Sequence, residues 1–223
     1  MKKHNKPSMD YIFKNVGENL EFIGDFESLY KNFQDPWEQS GKTGKISLYY
    51  KHSRKRLTDK LISINPVSLI EVGCGLGYTT NIIQNSLPPA IVVGMDISAT
   101  AINKGSKKFS DLQFICGDIR SSSFNLHKKF EVVILNQLLW YILESFDNTI
   151  DNCFSLLEKE GKIIISQAFL KTPQRYGKDV CDGFDGLVKY LKNKDFSVEY
   201  SNLYVSNSLV HDDGLIVINI GEK

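Results

Sequence analysis

Three glycines at alternate positions, Gly73, Gly75 and Gly77, directly follow the apolar run Val67 to Val72, which carries a single acid, Glu71. Backbone without Cβ atoms at the carboxyl end of a strand lets a ligand approach closely. A dinucleotide fingerprint would place its third glycine at position 78, where this chain has Tyr78. A pyrophosphate would sit poorly beside the Glu71 carboxylate, whereas a ligand carrying an ammonium and a sulfonium would be attracted to it. A second cluster is aromatic: Trp140 and Tyr141 follow Asn136, and such rings line pockets for cations or sugars. Side chains able to take a proton are Tyr49, Tyr50, His52, Tyr141, Tyr176 and His211; Tyr50, His52 and Tyr141 are the candidate bases, none singled out. Within the run Lys51 to Arg56, Arg54 is suited to grip a carboxylate or phosphate.

The elements that must position these residues alternate. A β-branched strand over 67–72 after Asn65-Pro66 leads through the glycines into a helix from Leu76 to Ser86, stopped by Pro88-Pro89. Strands follow at Ala90–Met95 (ending at Asp96), Asp111–Cys116, Phe130–Leu135 (ending at Asn136) and Lys162–Gln167. Helices lie between them at Ala99–Lys108, capped by Ser98, and at Phe146–Leu157. The strand, helix, strand rhythm implies a parallel sheet. Residues 168–182 read as an irregular excursion above the sheet, the stretch Gln167–Asp185 with Arg175, Tyr176, Asp182 and Asp185 is offered as a pocket wall, and a helix covers 184–192. Phe196–Tyr204 and Leu215–Ile220, joined without room for a crossover helix, form an antiparallel hairpin. Before the sheet, residues 1–24 show no clean periodicity. A short helix covers Asp25–Phe33 and ends at Asp35-Pro36-Trp37. The polar loop Gln39–Gly44 leads into a helix over Lys45–Ile62, with Leu48, Leu57, Leu61 and Ile62 on its apolar side.

The pattern Glu71-x-Gly73-x-Gly75-x-Gly77 resembles motif I of the class I S-adenosylmethionine (SAM) dependent methyltransferases. The resemblance implies an α/β fold: a Rossmann-like doubly wound, seven-stranded, mostly parallel sheet with an antiparallel C-terminal hairpin and an N-terminal helical cap. It implies one methyltransferase domain over 1–223, with the cap at 1–64 and the SAM-binding core at 65–223. It further implies cofactor contacts from Glu71, Gly73, Cys74, Gly75 and Gly77 toward the methionine portion. Asp96 would take the ribose hydroxyls, Asp118 the adenine amine between Ile97 and Ile119, and Asn136 the floor near the methyl group. Asp35-Pro36-Trp37 followed by a tyrosine- and arginine-bearing helix is similar to the nodulation-factor N-methyltransferase group. That likeness implies an amino sugar or another saccharide-pathway intermediate as acceptor, with Trp37, Arg54, Trp140, Tyr141 and Tyr176 as substrate-binding residues. Related enzymes often have an acid where Gln137 stands, and no Asn-Pro-Pro-Tyr signature of nucleobase or glutamine methylation follows the fourth strand.

Composition narrows the classes. A net charge of +1 over 223 residues favours neither nucleic acid nor membrane, and neither is expected as a partner. The basic start Met1–Pro7 has no apolar core behind it, and no run reaches membrane-spanning length. Cys74, Cys116, Cys153 and Cys181 are widely spaced, so the expectation is a reduced cytoplasmic protein without disulfides or metal. Two alternatives stay open: an NAD-dependent oxidoreductase, opposed by Tyr78 and the final hairpin, and a noncatalytic SAM-binding sensor or partner subunit, favoured by the missing base.

Overall fold

The computed structural model of the chain describes residues 7–41 and 45–219. The basic start before Pro7, the end of the Gln39–Gly44 loop and Ile220 therefore lie outside the described residues.

The central sheet has seven strands: β3 (Ser68–Val72), β4 (Ile91–Asp96), β5 (Gln113–Cys116), β6 (Phe130–Asn136), β7 (Leu157–Phe169), β8 (Ser197–Tyr204) and β9 (Asp212–Asn219). Their order is β5-β4-β3-β6-β7-β9-β8. Strands β3 to β7 pair in parallel, while β9 runs antiparallel to both β7 and β8. The chain turns back between β3 and β6, so the crevice for a ligand opens where those two strands end.

Each inner strand is buried on both faces because its apolar residues alternate between two cores. Ile70, Val93, Val133 and Ile165 point toward α5 (Phe146–Ser155) and α6 (Gly183–Asn193), meeting Ile150, Leu187 and Leu191. Leu69, Val92, Ile134 and Ile164 point the other way, toward Leu57 and Leu61 of α2 (Lys45–Ile64) and Ile83 of α3 (Tyr78–Ser86). Each such leucine or isoleucine, fully buried, contributes about 1.5–3 kcal/mol.

Two other elements frame the crevice. Helix α1 (Phe26–Asn32) is capped by the Asp25 carboxylate, which accepts from the Ser28 amide at 3.1 Å. Helix α4 (Ala99–Lys108) is capped by Ser98, which accepts from the Ala101 amide at 3.1 Å. The two helices are bolted together. Glu27 accepts from the Ser98 and Thr100 hydroxyls, each at 2.6 Å, and Lys104 donates to the Tyr30 and Phe33 carbonyls. The Ser98 and Thr100 bonds hold the Glu27 carboxyl down at about 2.

Three sequence expectations need correction. The segment read as aperiodic contains a β-hairpin, β1 (Phe13–Val16) and β2 (Asn19–Phe22), turned at Gly17, so the cap is not purely helical. Leu48 and Ile62 are each 51% exposed; only Leu57 and Leu61 of the expected stripe enter the core. Strand β7 begins at Leu157 and runs through the expected Glu160-Gly161 turn, which survives as an irregularity with Glu160 in the left-handed region.

Candidate functional site

The glycine loop leaves β3 with its backbone folded over the end of β4. The amides of Gly73 and Cys74 both donate to the Met95 carbonyl, at 2.7 and 2.9 Å, and the Gly75 amide donates to Asp96 Oδ2 at 2.8 Å. Gly75 has φ +55°, and a Cβ there would lie 2.5 Å from the Tyr30 hydroxyl, so only glycine admits the cap this close. Cys74 is buried, and neither it nor Gly75 nor Gly77 lines the cavity. Gly73 alone of the three glycines lines the cavity.

Glu71 is 1% exposed and does not line the cavity. Its Oε2 accepts from Thr80 Oγ1 at 2.6 Å and its Oε1 from Asn136 Nδ2 at 2.9 Å. Burial pushes its carboxyl up, partly countered by those two donors. The carboxylate expected to reach toward an ammonium instead orients Asn136, which does line the cavity.

Asp96, Ile97, Asp118 and Ile119 line the β4–β5 end of the same cavity. Asp96 accepts from Gly75 N and from Ser98 N (2.9 Å), one bond per oxygen, which fixes the carboxylate plane and leaves a lone pair on each oxygen. Burial pushes its pKa from 3.8 up to about 6. Asp118 is clasped by Arg120, whose backbone amide and Nε reach Oδ1 at 3.0 and 2.9 Å while Nη2 reaches Oδ2 at 3.0 Å.

The other end of the cavity is aromatic and amide-rich. Tyr141 is ringed by Phe26 (5.2 Å between centroids), Trp37 (5.7 Å) and Phe13 (6.2 Å), so hairpin and α1 close over it. Trp37 donates from its indole to the Tyr30 hydroxyl at 3.0 Å, and Trp140 to the Ala168 carbonyl at 3.1 Å. Gln137, in the left-handed region, donates to Tyr49 Oη at 2.9 Å and accepts from the Ala168 amide at 3.0 Å. Tyr49 in turn donates to Asp213 Oδ1 at 2.9 Å; Asp213 is fully buried and paired with Arg56 at 2.5 Å. His211 lines this end with its Nδ1 buried and unpartnered. Burial, then the Lys171 ammonium, holds its ring below the ordinary histidine pKa despite the opposing Asp212 carboxylate.

The structure thus gathers Trp37, Tyr50, Gly73, Asp96, Ile97, Asp118, Ile119, Asn136, Trp140 and Tyr141 around one cavity, and leaves other expected residues out. His52 stacks on Tyr204 at 4.2 Å, away from the crevice, which removes it as a base. Tyr176 packs on Phe13 behind the lining, at 5.4 Å, instead of facing an acceptor. Arg175 reaches the hairpin turn, donating to the Glu18 carbonyl at 2.7 Å, and neither Asp182 nor Asp185 forms a wall. Arg54 stands just outside the lining. It donates to Thr79 Oγ1 at 3.1 Å and to the Gln39 carbonyl at 3.0 Å, and its Nη2 is buried without a partner. Sequence reasoning missed Tyr30, Phe26 and Arg120 as cavity residues, while Gln167, the first residue of the expected wall, does line it. For Tyr30 and Phe26 the signal was present, since both belong to the apolar face of α1.

Residues 65–201 match the protein family described as a methyltransferase domain. The chain is 28% identical over 103 residues to malonyl-acyl-carrier protein O-methyltransferase of Priestia megaterium (strain DSM 319 / IMG 1521), covering 45% of this chain and 36% of that protein. It is 29% identical over 118 residues to the enzyme of the same name from Bacillus anthracis, covering 52% and 43%. The matched region therefore spans less than half the length of these relatives. Among solved structures, N-methyltransferase NodS from Bradyrhizobium japonicum WM9, in complex with S-adenosyl-L-homocysteine, shares the fold at a TM-score of 0.67 and 16% identity, over 88% of this chain and 98% of that one. The PH0226 protein from Pyrococcus horikoshii OT3 does so at 0.65 and 19%, over 87% and 99%.

Proposed function

The chain belongs to the methyltransferase-domain family, of the class I SAM-dependent type, and from that premise we propose that it transfers a methyl group from SAM to nitrogen or oxygen of a small, polar, uncharged or amine-bearing acceptor. The observation that carries the reading is the single cavity that runs from Asp96 and Asp118, across the β3–β6 reversal, to Trp140 and Tyr141.

The residues present fit the cofactor. Asp96 keeps a lone pair on each oxygen for a pair of ribose hydroxyls, and Ile97 and Ile119 offer apolar faces for a flat ring. The unpartnered Arg54 Nη2 beside Thr79 is the cation available to a ligand carboxylate near the glycine loop. Bound SAM supplies an electrophilic methyl on a sulfonium, and its transfer leaves S-adenosylhomocysteine. The chain supplies alignment. Asn136, fixed by Glu71, sets the floor; Trp140 and Tyr141 orient the acceptor; the cap excludes water. His211, neutral at pH 7 because its pKa is lowered, is available to take the acceptor's proton.

The acceptor end holds tyrosines, Trp140, three glutamines and His211, and among the described residues no carboxylate and no unpaired lysine or arginine lines it. A carboxylate acceptor, such as the malonyl relatives' names carry, would find no cation to pair with there. An amino sugar, or another neutral polar molecule, finds aromatic faces and hydrogen-bonding amides. The noncatalytic reading draws its support from Gln137, whose amide stands where an acid would be and is tied to Tyr49 and Ala168.

Calorimetric titration with S-adenosylhomocysteine, with NAD and NADH in parallel, tests the cofactor. Micromolar binding of the former with no heat from the latter two is the expected result, and binding of NAD alone overturns it. Methyl transfer from labelled SAM to glucosamine and other amines, set against a malonyl thioester, then tests the acceptor class. Transfer to the thioester alone refutes the neutral-acceptor reading.

A further inference from the structure

We propose that Arg120 determines which nucleobase the site accepts, by holding Asp118 as a fixed hydrogen-bond acceptor for the exocyclic amine of adenine. The inference rests on the reading above that the cavity binds SAM, and adds a residue to it.

Asp118 lies one strand away from Asp96. Cys116, the last residue of β5, pairs with Asp96, the last of β4, and the Gly117 amide donates to the Asp96 carbonyl at 3.0 Å. Neighbouring strands are about 4.8 Å apart, so a ribose on Asp96 carries its base toward the turn that follows β5. That turn is unusually well anchored. The Ser121 amide donates to the Asp118 carbonyl at 3.2 Å. From α5, Asn152 Nδ2 donates to the Ile119 and Ser121 carbonyls at 2.6 and 2.9 Å, and Asn148 Nδ2 donates to the Arg120 carbonyl at 2.5 Å. Three side-chain bonds from one helix thereby fix the backbone from which Arg120 folds back.

Arg120 then saturates one side of the carboxylate. Its amide and Nε both bond Oδ1, and its Nη2 takes one position on Oδ2. A carboxylate oxygen has two lone-pair positions, so Oδ1 is filled and Oδ2 keeps one. The bidentate fork fixes the plane of the group, which a half-exposed aspartate would otherwise lose to rotation and hydration. Burial raises the Asp118 pKa, but the bonds from Arg120 outweigh it and leave the group below the ordinary range, hence ionised and acceptor-only at neutral pH. An oxygen in that state favours the amine at C6 of adenine. It repels the carbonyl that hypoxanthine carries at the same carbon, where acceptor would face acceptor.

The test compares S-adenosylhomocysteine with S-inosylhomocysteine by calorimetry at pH 7.5. The ratio of their affinities is the decisive readout, because a merely structural lesion weakens both ligands alike. Wild type is expected to prefer the adenosyl ligand by roughly 10–100-fold, the range for one hydrogen bond to a charged partner. Arg120→Met should lower that ratio at least about fivefold. Arg120→Lys, which keeps the charge without the fork, should recover only part of it. An unchanged ratio in Arg120→Met overturns the proposal. So does a wild type that binds both ligands equally, which leaves the SAM reading standing. A wild type that binds neither overturns the SAM reading and the proposal with it.

Discussion

Gly75→Ala gives a direct measure of how tightly the cap is seated on the glycine loop. The new methyl would lie 2.5 Å from the Tyr30 hydroxyl and 3.5 Å from its Cζ, at a residue whose φ is +55°. Two costs add. An alanine in the left-handed region costs about 1–2 kcal/mol, and forcing apart a packed contact costs about 1–3 kcal/mol. Tyr30 cannot swing away freely, because it is 3% exposed and receives the Trp37 indole proton at 3.0 Å. Gly75→Ala should therefore lose about 2–5 kcal/mol, a Tm fall of roughly 4–20 °C for a chain of this size. Tyr30→Phe alone removes the hydroxyl and its hydrogen bond, costing about 1 kcal/mol. In the double variant the methyl meets no oxygen, so only the backbone strain and the lost bond remain. The two changes should be non-additive by about 1–3 kcal/mol in urea denaturation. Additivity within about 0.5 kcal/mol would refute the contact between cap and loop.

Two further outcomes follow from buried carboxylates. In the ligand-free protein Asp96 titrates near 6 against 3.8 when unfolded, so its contribution to stability is full below 3.8 and is lost as pH rises through 6. The ionised form accepts the ribose hydroxyls, so affinity for S-adenosylhomocysteine should fall up to about tenfold per pH unit below 6. Asp96→Asn should abolish that slope, and a titration series from pH 5 to pH 8 in which it persists would exclude Asp96 as its source. Arg56→Met should cost about 3–5 kcal/mol, because it strands the fully buried Asp213 carboxylate with only Tyr49 as donor. Urea denaturation reads the loss, and a change under 1 kcal/mol would mean that Asp213 takes up a proton or water instead.

The strands and their order of function were legible where the sequence is locally unambiguous. Val92, Val93, Val132, Val133, Ile163 and Ile164 admit little but a strand buried on both faces, and the acids and amide that end such runs, Asp96 and Asn136, are carried to the crevice by that geometry alone. Glu71 was misjudged for a physical reason. Its strand position was correct, but whether a carboxylate faces the ligand or two internal donors depends on Thr80 and Asn136, which only the fold brings near. Helix phase misled in the same way: in α2, Tyr49 and Arg56 reach Asp213, Arg54 reaches Thr79, and His52 falls outside on Tyr204. The hairpin was invisible because its aromatic residues find their partners, Tyr141 and Tyr176, more than a hundred positions downstream. Asp118 lines the cavity, yet nothing in Gly117-Asp118-Ile119-Arg120 announced that the arginine folds back on the aspartate.

The seating of the cap also sets an order of events during synthesis. Phe13, Phe22 and Phe26 are made early, but the rings that receive them belong to Tyr141 and Tyr176, while Glu18, Glu27 and Tyr30 wait for Arg175, Ser98, Thr100 and Lys104. From Phe33 to Tyr176 the ribosome adds roughly 140 residues, on the order of 7–30 s at ordinary elongation rates. Until Tyr141 and then Tyr176 are made, the aromatic face of the cap has only its own rings, Phe13, Phe22 and Phe26, to pack against.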